Sequence, residues 1–490
     1  MPGVEHAWQL PHPMGCEAMN KRRIVFLQRE LEDNLGVLWI ASYLSMHGFD
    51  ARVLLEEKAT YSEIAELKPS VVGYSCMTGQ QDWVIESIAK VQALGQGSLC
   101  IVGGPHATFY PKMLENGTAD AIVRGEGELA MLDFMSRVEG GGDLLSVPNT
   151  VWRKDGETIA NPLHPLLPDL NILPIPDRSY YGRYRFLAQN SNRTFITGRG
   201  CPFQCTFCFN HALHAMYGKT ARYIRRHSTE YAIRELVDVK RRWGLTEVRF
   251  SDDHFSLDSA WLAEFIPQYR REIGRPFSIN ARVDSLDEEK IALLAEGGCR
   301  LVCFGIETGR EDLRNTVLKK RITDGDIVNT AQLLHKYKIR FLSSNIIGLP
   351  GETAGDAWET VRINQRIGTD LPWFSLMQYY PGTEIYRQAS EAGMIAPDFD
   401  PGRIKSYFRN SYLKQGNMGE LQNIHSLSIL CCWLPFLTPM ASWLAGKAPP
   451  NAAFRLVFTF CYGLLTIRRS HLGLCRIVKG LGYYWRRLWS

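Results

Sequence analysis

Three cysteines stand close together in the segment CPFQCTFC, at Cys201, Cys205 and Cys208. Thiolates are soft ligands that favour zinc or iron–sulfur clusters, and three of them in one short loop can bind a single inorganic centre. A structural zinc ion usually has four protein ligands, and His211 or His214 could supply the fourth. The residue types therefore predict a metal centre, and on their own they leave zinc and iron–sulfur both open.

A second group of polar and small residues follows predicted strands in the same half of the chain. Its members are Ser251, Asp252 and Asp253 after one strand, Asn280 and Arg282 after the next, and Glu307, Ile347 and Gly348 farther on. Taken singly, Asp252 or Glu307 is more typical of a salt-bridged structural carboxylate than of a ligand. Parallel barrels, however, carry their chemistry at the carboxyl ends of the strands, so the whole set favours a binding site.

The first third of the chain has a comparable set of motifs. Three predicted strands end in Ser75-Cys76-Met77-Thr78-Gly79, in Gly103-Gly104-Pro105-His106 and in Arg124-Gly125-Glu126-Gly127-Glu128. One glycine-containing turn would carry little weight, because glycine is common in tight turns. Ligands of parallel sheets bind outside the carboxyl ends of the strands, so three such motifs predict a second binding edge.

These motifs need parallel sheets to position them, and short apolar strands alternate with amphipathic helices along most of the chain. We expect an α/β protein with a doubly wound, Rossmann- or flavodoxin-like parallel-sheet domain, a partial (β/α)6 TIM-type barrel and a C-terminal helical tail. The predicted segments are an N-terminal tail (1–22), the doubly wound domain (23–140), a proline-rich linker with a small hairpin at Asp155-Gly156 (141–190), the barrel (191–390) and a basic, apolar extension (391–490).

The composition is that of a folded protein of two or three domains, with 45% hydrophobic and 22% charged residues among 490. These proportions exclude wholesale disorder. A formal net charge of +5 is too small for this length to indicate nucleic-acid binding, and we expect no nucleic-acid partner. The 12 cysteines are too scattered for a secreted disulfide scaffold, and residues 1–23 lack a signal-peptide core. We therefore expect a cytoplasmic protein.

Residues 421–490 differ from the rest, with eight lysines and arginines and no aspartate or glutamate. The apolar stretch 426–445 is interrupted by Pro435 and Pro439, so it is not a clean membrane span. Aromatic residues with basic neighbours in 483–489 suit a membrane interface. We expect a peripheral contact with the inner face of the membrane; the alternative is that these helices pack on the barrel and leave their arginines in water.

The cysteine loop, with Phe207 before its last cysteine, resembles that of the radical S-adenosylmethionine (SAM) enzymes. In that family the three cysteines bind a [4Fe–4S] cluster, one iron stays open for SAM, and an electron from the cluster cleaves SAM to a 5′-deoxyadenosyl radical. The resemblance implies that Cys201, Cys205 and Cys208 bind the cluster. It also implies SAM contacts by Phe207, Ser251, Asp252, Asp253, Asn280, Arg282, Glu307, Ile347 and Gly348.

The doubly wound domain resembles the cobalamin-binding domain of the cobalamin-dependent radical SAM subfamily. The resemblance implies cobalamin contacts by Ser75, Met77, Thr78, Gly103, Gly104, Pro105, His106, Arg124, Gly125 and Glu126. The D-x-H-x-x-G motif, which supplies a histidine ligand to cobalt in the methionine-synthase type, is absent from this sequence. We therefore assign no cobalt ligand.

Together the resemblances imply an enzyme that methylates an unactivated carbon or phosphorus of a small-molecule or lipid-like substrate. One SAM would methylate cobalamin and a second would give the radical, with electrons from a flavodoxin- or ferredoxin-type donor. The alternative is a cobalamin-dependent radical cyclisation, ring contraction or oxidation. A non-catalytic cobalamin sensor and a tRNA methylthiotransferase are weaker alternatives, and no catalytic residue is assigned.

Overall fold

The computed structural model describes residues 20–114, 119–218, 222–395, 399–404, 408 and 411–470. The described residues form two large sheets with helices around them and a two-stranded ribbon, followed by three helices. The first sheet has strands β1 (Asn20–Gln28), β2 (Asp50–Leu55), β3 (Pro69–Ser75), β4 (Leu99–Gly103), β5 (Ala121–Val123), β6 (Thr150–Lys154) and β7 (Glu157–Ala160). The helices of this part are α1 (Leu35–Met46), α2 (Thr60–Leu67), α3 (Gln81–Gln92), α4 (Pro105–Phe109), α5 (Glu128–Gly140) and α6 (Arg185–Ala188).

The first sheet has the strand order β2-β1-β3-β4-β5-β6-β7, and its strands β1 to β5 are parallel. The apolar run of β1 is buried on both faces: Ile24 and Phe26 belong to one hydrophobic core, and Val25 and Leu27 to another. Successive side chains of a strand point to opposite faces, so β1 lies between two helical layers. The expected doubly wound parallel sheet is confirmed.

The hairpin β6–β7 extends this sheet. Strand β6 pairs antiparallel with β5, placing Trp152 opposite Ala121, and the Trp152 ring stacks on Phe134 with 6.1 Å between ring centroids. The sequence analysis places this hairpin inside a linker. Its turn residues predict a hairpin, but they do not show which strand the hairpin pairs with. The domain boundaries given above stay predictions.

The second sheet begins with β8 (Asn192–Phe195) and has six parallel strands in the order β15-β14-β13-β12-β11-β8. A two-stranded ribbon of β9 (Gly198–Arg199) and β10 (Arg225–Arg226) lies outside it. The other strands are β11 (Glu247–Phe250), β12 (Phe277–Asn280), β13 (Cys299–Glu307), β14 (Arg340–Ile347) and β15 (Leu371–Leu376). The helices are α7 (Phe209–Tyr217), α8 (Thr229–Trp243), α9 (Ser259–Glu272), α10 (Glu288–Glu296), α11 (Glu311–Thr316), α12 (Asp324–Lys336), α13 (Ala354–Arg366) and α14 (Glu384–Glu391). The alternation of strand and helix agrees with the expected partial barrel.

One predicted helix start is wrong in detail. The spacing of Ser285 and Glu288 predicts a capping box beginning at the serine. In the structure, α10 begins at Glu288, and the Asp287 carboxylate accepts the backbone N–H of Lys290 at 2.8 Å. Ser285 ends a preceding 3₁₀ turn and donates its hydroxyl to the Arg282 carbonyl, so it is too far back to cap the helix.

The C-terminal helices are α15 (Met418–Trp433), α16 (Thr438–Lys447) and α17 (Ala452–Ser470). Leu421 and Ile424 of α15 share a hydrophobic core with Trp358 of α13 and Phe374 of β15. These helices therefore cover the edge strand β15, whose unpaired backbone would otherwise be open to other chains. No helix in the described part of the chain is long and apolar enough to cross a membrane. The aromatic and basic segment 483–489 lies outside the described residues.

Candidate active site

The cysteine loop connects β9 to α7, and backbone groups after α11 and in α14 hold its centre. Thr206 donates its backbone N–H to the Leu318 carbonyl (3.1 Å) and its hydroxyl to the Val317 carbonyl (2.8 Å). The Thr206 carbonyl accepts the backbone N–H of Ile385 at 3.0 Å. Cys205, beside Thr206, is consequently buried at the carboxyl end of the sheet.

The three thiols of the loop lie close to one another in a dry environment. Burial raises the pKa of Cys201, Cys205 and Cys208, that of Cys208 to about 11. The charge of Cys205 further raises the pKa of the other two thiols. A bound cation that replaces the protons removes both penalties, because thiolates are the form that binds metal. Three neighbouring thiols, one buried and two half-buried, therefore fit an iron–sulfur cluster.

Zinc fits these donors less well. Within the described residues, no three His, Cys, Asp or Glu side chains converge closely enough to hold one metal ion. A cuboidal cluster does not require that convergence, because it distributes its thiolate ligands over different irons. The two candidate fourth ligands have other partners: His211 lies 3.9 Å from the Glu384 carboxylate, and His214 stacks on Tyr223.

Asp252 and Asp253, predicted SAM contacts, join β11 to the segment before the cysteine loop. The buried Asp252 carboxylate accepts the backbone N–H (3.1 Å) and the hydroxyl (2.6 Å) of Thr197. The Asp252 carbonyl accepts the Asn280 amide at 3.0 Å. Asp253 is exposed and accepts the backbone N–H of Gly200 at 3.2 Å. In this geometry Asp252 is a structural acceptor, and Asp253 is the more accessible carboxylate.

Arg282 and Glu307, at the carboxyl ends of β12 and β13, are buried, and each has a charged partner. The Arg282 guanidinium donates two hydrogen bonds to the Asp284 carboxylate, and its Nη1 lies 3.7 Å from the Cys205 sulfur. The Glu307 carboxylate pairs with Lys320 at 2.5 Å. Glu307 also has φ +67°, which is uncommon outside glycine. Lys320, which the sequence did not single out, thus brings a second cation to the cysteine loop.

Ile347 and Gly348 end β14, and a carboxylate from the following turn holds them. Glu352 Oε2 accepts the backbone N–H of Gly348 at 2.5 Å and that of the next residue at 3.1 Å. Glu352 is 1% exposed, burial raises its pKa to about 8, and its Oε1 has no hydrogen-bond partner among the described residues. The Ile347 side chain is fully buried, so only its backbone is accessible to a ligand. Phe207 and Ser251 are half-buried.

The predicted cobalamin motifs lie together at the carboxyl ends of β3, β4 and β5. The Thr78 hydroxyl is 3.0 Å from Nδ1 of His106, a buried imidazole whose pKa burial lowers to about 4. Gly104 has φ +91°, and a Cβ there would come within 2.8 Å of the Cys76 backbone, so these two loops require glycine. Ser75, Gly103, Pro105 and Arg124 are half-buried along the same edge, whereas Met77 is 52% exposed.

Helix α7 connects the cysteine loop to this edge. Cys208 immediately precedes the helix, and Tyr217 is its last residue. The Tyr217 hydroxyl accepts the backbone N–H of Glu126 at 2.8 Å and occupies the space where Gly125 would place a Cβ. The structure therefore brings one end of α7 to the cysteines and the other to the cobalamin-type edge.

Charged pairs join the same two parts of the molecule. Glu126 pairs with Arg225, and Glu128 pairs with Arg199 at 2.6 Å. Sequence reasoning missed both arginines and Tyr217, because they make these contacts only when the two sheets dock. The one available signal was the position of Arg199, two residues before Cys201.

Two family models match the chain, and several protein relatives do so over most of its length. Residues 195–363 match the radical SAM superfamily, and residues 29–134 match the B12 binding domain. An uncharacterized methyltransferase of Pyrococcus horikoshii is 28% identical over 367 residues, which cover 72% of this chain and 78% of that protein. An anaerobic magnesium-protoporphyrin IX monomethyl ester cyclase of Rubrivivax gelatinosus is 25% identical over 373 residues, which cover 72% and 66%.

A solved structure has the same fold. The radical SAM methyltransferase TsrM from Kitasatospora setae superposes with a TM-score of 0.68 at 16% identity, covering 92% of this chain and 100% of that one. The two family models fall on the two sheets in the order that the sequence predicts. The chain belongs to the cobalamin-dependent radical SAM enzymes, which use a [4Fe–4S] cluster, SAM and cobalamin.

Proposed function

We propose that the protein methylates an unactivated carbon or phosphorus centre of a small-molecule or lipid-like substrate. The observation that carries the proposal is helix α7, which follows Cys208 and ends in the contact between Tyr217 and Glu126. A methyl transfer that uses both cofactors requires their reactive groups to reach one cavity. A helix that runs from the cysteine loop to the cobalamin-type edge supports that arrangement.

In the proposed site, the three loop cysteines hold the cluster, and the loops after β3, β4 and β5 hold cobalamin. When bound, the cluster supplies the electron that cleaves SAM, and cobalamin carries the methyl group. The protein positions its own loops with buried carboxylates: Asp252 fixes the turn after β11, and Glu352 the turn after β14. The proposed SAM contacts are Phe207, Ser251, Asp252, Asp253, Asn280, Arg282, Glu307, Ile347 and Gly348, and the proposed cobalamin contacts are Ser75, Met77, Thr78, Gly103, Gly104, Pro105, His106, Arg124, Gly125 and Glu126.

Replacing Cys201, Cys205 and Cys208 together with alanine should abolish the cluster and the formation of 5′-deoxyadenosine, because each thiol supplies one ligand. The measurement is anaerobic reconstitution with iron, sulfide, cobalamin and SAM, followed by iron analysis and mass spectrometry. The matched control is Cys299→Ala, which removes a buried core cysteine of the same sheet and should keep both iron and product. A triple variant that still makes 5′-deoxyadenosine would contradict the assigned cluster ligands.

The same assay separates methylation from the alternative reactions. S-adenosylhomocysteine formed together with 5′-deoxyadenosine supports methyl transfer, whereas 5′-deoxyadenosine alone supports a cyclisation, ring contraction or oxidation, an alternative that the cyclase relative favours. If the protein forms neither of these two products, a non-catalytic cobalamin sensor would be indicated. A tRNA methylthiotransferase would need a further three-cysteine site in the first domain, where residues 20–114 and 119–140 hold only Cys76 and Cys100.

Radical SAM enzymes require a one-electron reductant as well as a substrate. We propose a flavodoxin- or ferredoxin-type protein as the electron donor of this enzyme. Pro202 and Gln204 of the cysteine loop are exposed, so a protein carrier can approach the cluster site from solvent. The test replaces the chemical reductant with reduced flavodoxin and measures the 5′-deoxyadenosine that is formed. No product with reduced flavodoxin would contradict the proposal.

We propose further that the C-terminal helices hold this cytoplasmic enzyme peripherally at the inner face of the membrane. Helix α15 packs on the barrel, as the alternative expected, but α16, α17 and the turn before them expose Phe436 (75%), Trp443 (64%) and Phe460 (67%). Lys447 and Arg455 are near them in a stretch without acidic residues. Exposed aromatic and basic side chains suit the interface of an anionic bilayer, where each cation contributes about 1 kcal/mol.

Liposome flotation of the full chain tests this contact. With phosphatidylserine-containing liposomes we expect flotation at low salt and less at high salt, because salt screens the attraction. The combined change Phe436→Ser, Trp443→Ser and Phe460→Ser should abolish flotation. Phe186→Ser, at a position 53% exposed in α6, is the matched control. Equal flotation of the two variants, or no flotation of the unmodified chain at low salt, would remove the membrane proposal.

A further inference from the structure

The three cysteines of the loop have unequal surroundings. Cys201 and Cys208 accept hydrogen bonds from backbone N–H groups of the loop and of the first turn of α7. Cys205 is the buried one of the three, and its sulfur lies 3.7 Å from Nη1 of Arg282, within hydrogen-bond distance for sulfur. The charge of Arg282 also lowers the pKa of Cys201, but its hydrogen-bond contact is with Cys205.

Arg282 is held rigidly in this position. Its Nε and Nη2 donate to the two carboxylate oxygens of Asp284 at 2.9 and 2.8 Å, and Nη2 also donates to the Lys320 carbonyl at 2.6 Å. The guanidinium carbon lies 3.6 Å from the centroid of the Phe203 ring. With the contact to Cys205, four of the five guanidinium N–H groups have acceptors, so Arg282 is aimed before any ligand binds.

Lys320 is a second cation that acts on Cys205. Burial raises the pKa of Cys205, and the positive charges of Lys320 and Arg282 lower it. The negative charge of Glu307 partly offsets these two cations, whereas the hydrogen bond from Arg282 adds to their effect. Lys320 is nearly buried and pairs with Glu307. The strand backbone leaves room for this pair because residue 305 is glycine: a Cβ on Gly305 would overlap both the Glu307 carboxylate and the Lys320 ammonium group.

We propose that Arg282, supported by Lys320, is a positioning residue that raises the reduction potential of the cluster through Cys205. The inference rests on the proposed function, in which Cys205 is a cluster ligand. Reduction adds one electron from the external donor to the cluster, and hydrogen bonds or positive charge at a ligand sulfur stabilise the more negative state. Arg282 thereby eases electron uptake through Cys205, while the backbone donors at the other two cysteines carry no net charge.

The test is an EPR-monitored redox titration of the reconstituted full chain without SAM or cobalamin. Arg282→Gln should shift the midpoint potential to more negative values, and Arg282→Lys should shift it less because the charge remains. The double variant Arg282→Gln/Asp284→Asn avoids leaving the Asp284 carboxylate unpaired. Arg300→Gln is the matched control, since Arg300 pairs with Glu247 (2.9 Å) at the start of β13. The midpoint potential of the cluster in this variant should be unchanged. An unchanged potential in the Arg282 variants at full iron content would overturn the inference.

A second measurement starts from the unmodified protein and uses one variant as its control. With ¹⁵N-labelled arginine, the reduced cluster of the unmodified protein should show a nitrogen hyperfine coupling in pulsed EPR, and Arg282→Lys should remove it. Absence of this coupling in the unmodified protein would also overturn the inference. Failure of the unmodified protein to form a cluster at all would instead refute the proposed function, so the two failures are distinguishable.

Discussion

Glu352 has a buried carboxyl group with a raised pKa, which its position in the sequence does not predict. A glutamate between Gly351 and Thr353, just before a helix, is typical of a solvated first turn. Instead its carboxylate folds back onto the backbone N–H of Gly348 and is almost completely buried. The cysteine loop is the opposite case. Its cysteines are only three and four positions apart, so the spacing alone predicts a metal centre. The choice of an iron–sulfur cluster over zinc came from the family resemblance.

At this scale we predict that Glu352→Gln changes the pH dependence of stability. The pKa of Glu352 is about 8 in the fold against an ordinary 4.5, so the folded state holds the proton more tightly. The tighter proton binding therefore contributes fully to the free energy of unfolding below pH 4.5. This contribution, about 4 kcal/mol, is lost as the pH rises to 8. Glu352→Gln should unfold less readily than the unmodified protein at pH 8 to 9.

Urea unfolding between pH 5 and 9 provides the measurement for this prediction. Glu359→Gln, which replaces an exposed glutamate of α13 paired with Arg362, serves as the control and should leave the slope unchanged. Parallel pH profiles for the Glu352 variant and the unmodified protein would show that the carboxyl group is not held protonated.

At the scale of elements, strands of the central sheets were predictable because each is a short apolar run. The run from Arg340 to Ile347, for example, predicts a strand, and β14 has the same bounds. Pairing was less predictable. The hairpin β6–β7 has a clear turn at Asp155-Gly156, but its attachment to β5 depends on a partner 30 residues earlier. The packing partner of α15 was equally unpredictable. Its apolar residues indicate a buried helix, but they do not indicate that it packs on β15.

The loop after β4 supports a prediction at this scale. Gly104→Ala should reduce cobalamin retention at least tenfold, because a Cβ would press on the Cys76 backbone and a left-handed φ disfavours alanine by about 1 kcal/mol. Gly95→Ala is the matched control, since Gly95 has φ +67° with open space around it. The readout is the ratio of cobalamin to protein after gel filtration, and equal ratios in the two variants would argue against this binding edge.

At the scale of the whole molecule, a buried charge network joins the two sheets. Arg178, between them, donates to Glu235 of α8 at 3.0 Å and to Asp33 after β1 at 3.2 Å. Arg193 of β8 also donates to Asp33, at 3.0 Å. None of this was visible in the sequence, because the four residues come from four separate segments and none belongs to a motif. The network fixes how the two binding edges face each other.

We predict that Arg178→Met destabilises the protein by about 3–5 kcal/mol, because two buried carboxylates lose a partner. Arg183→Met, which breaks an exposed pair with Glu63 (2.6 Å), is the control and should cost at most about 1 kcal/mol. Differential scanning calorimetry should also separate the melting of the two halves in the Arg178 variant. A single transition at the same temperature as the control variant would contradict the assigned role of the network.

Helix α7 has a geometric consequence for how this enzyme can vary. Its 9 residues span about 14 Å at a rise of about 1.5 Å each, with the cysteine loop at one end and the Tyr217–Glu126 contact at the other. A loop can absorb an added residue, but a helix turns by about 100° for each one, which would swing Tyr217 away from the first domain. The number of residues between Cys208 and Tyr217 therefore determines whether Tyr217 can reach Glu126 while the cysteine loop keeps its position.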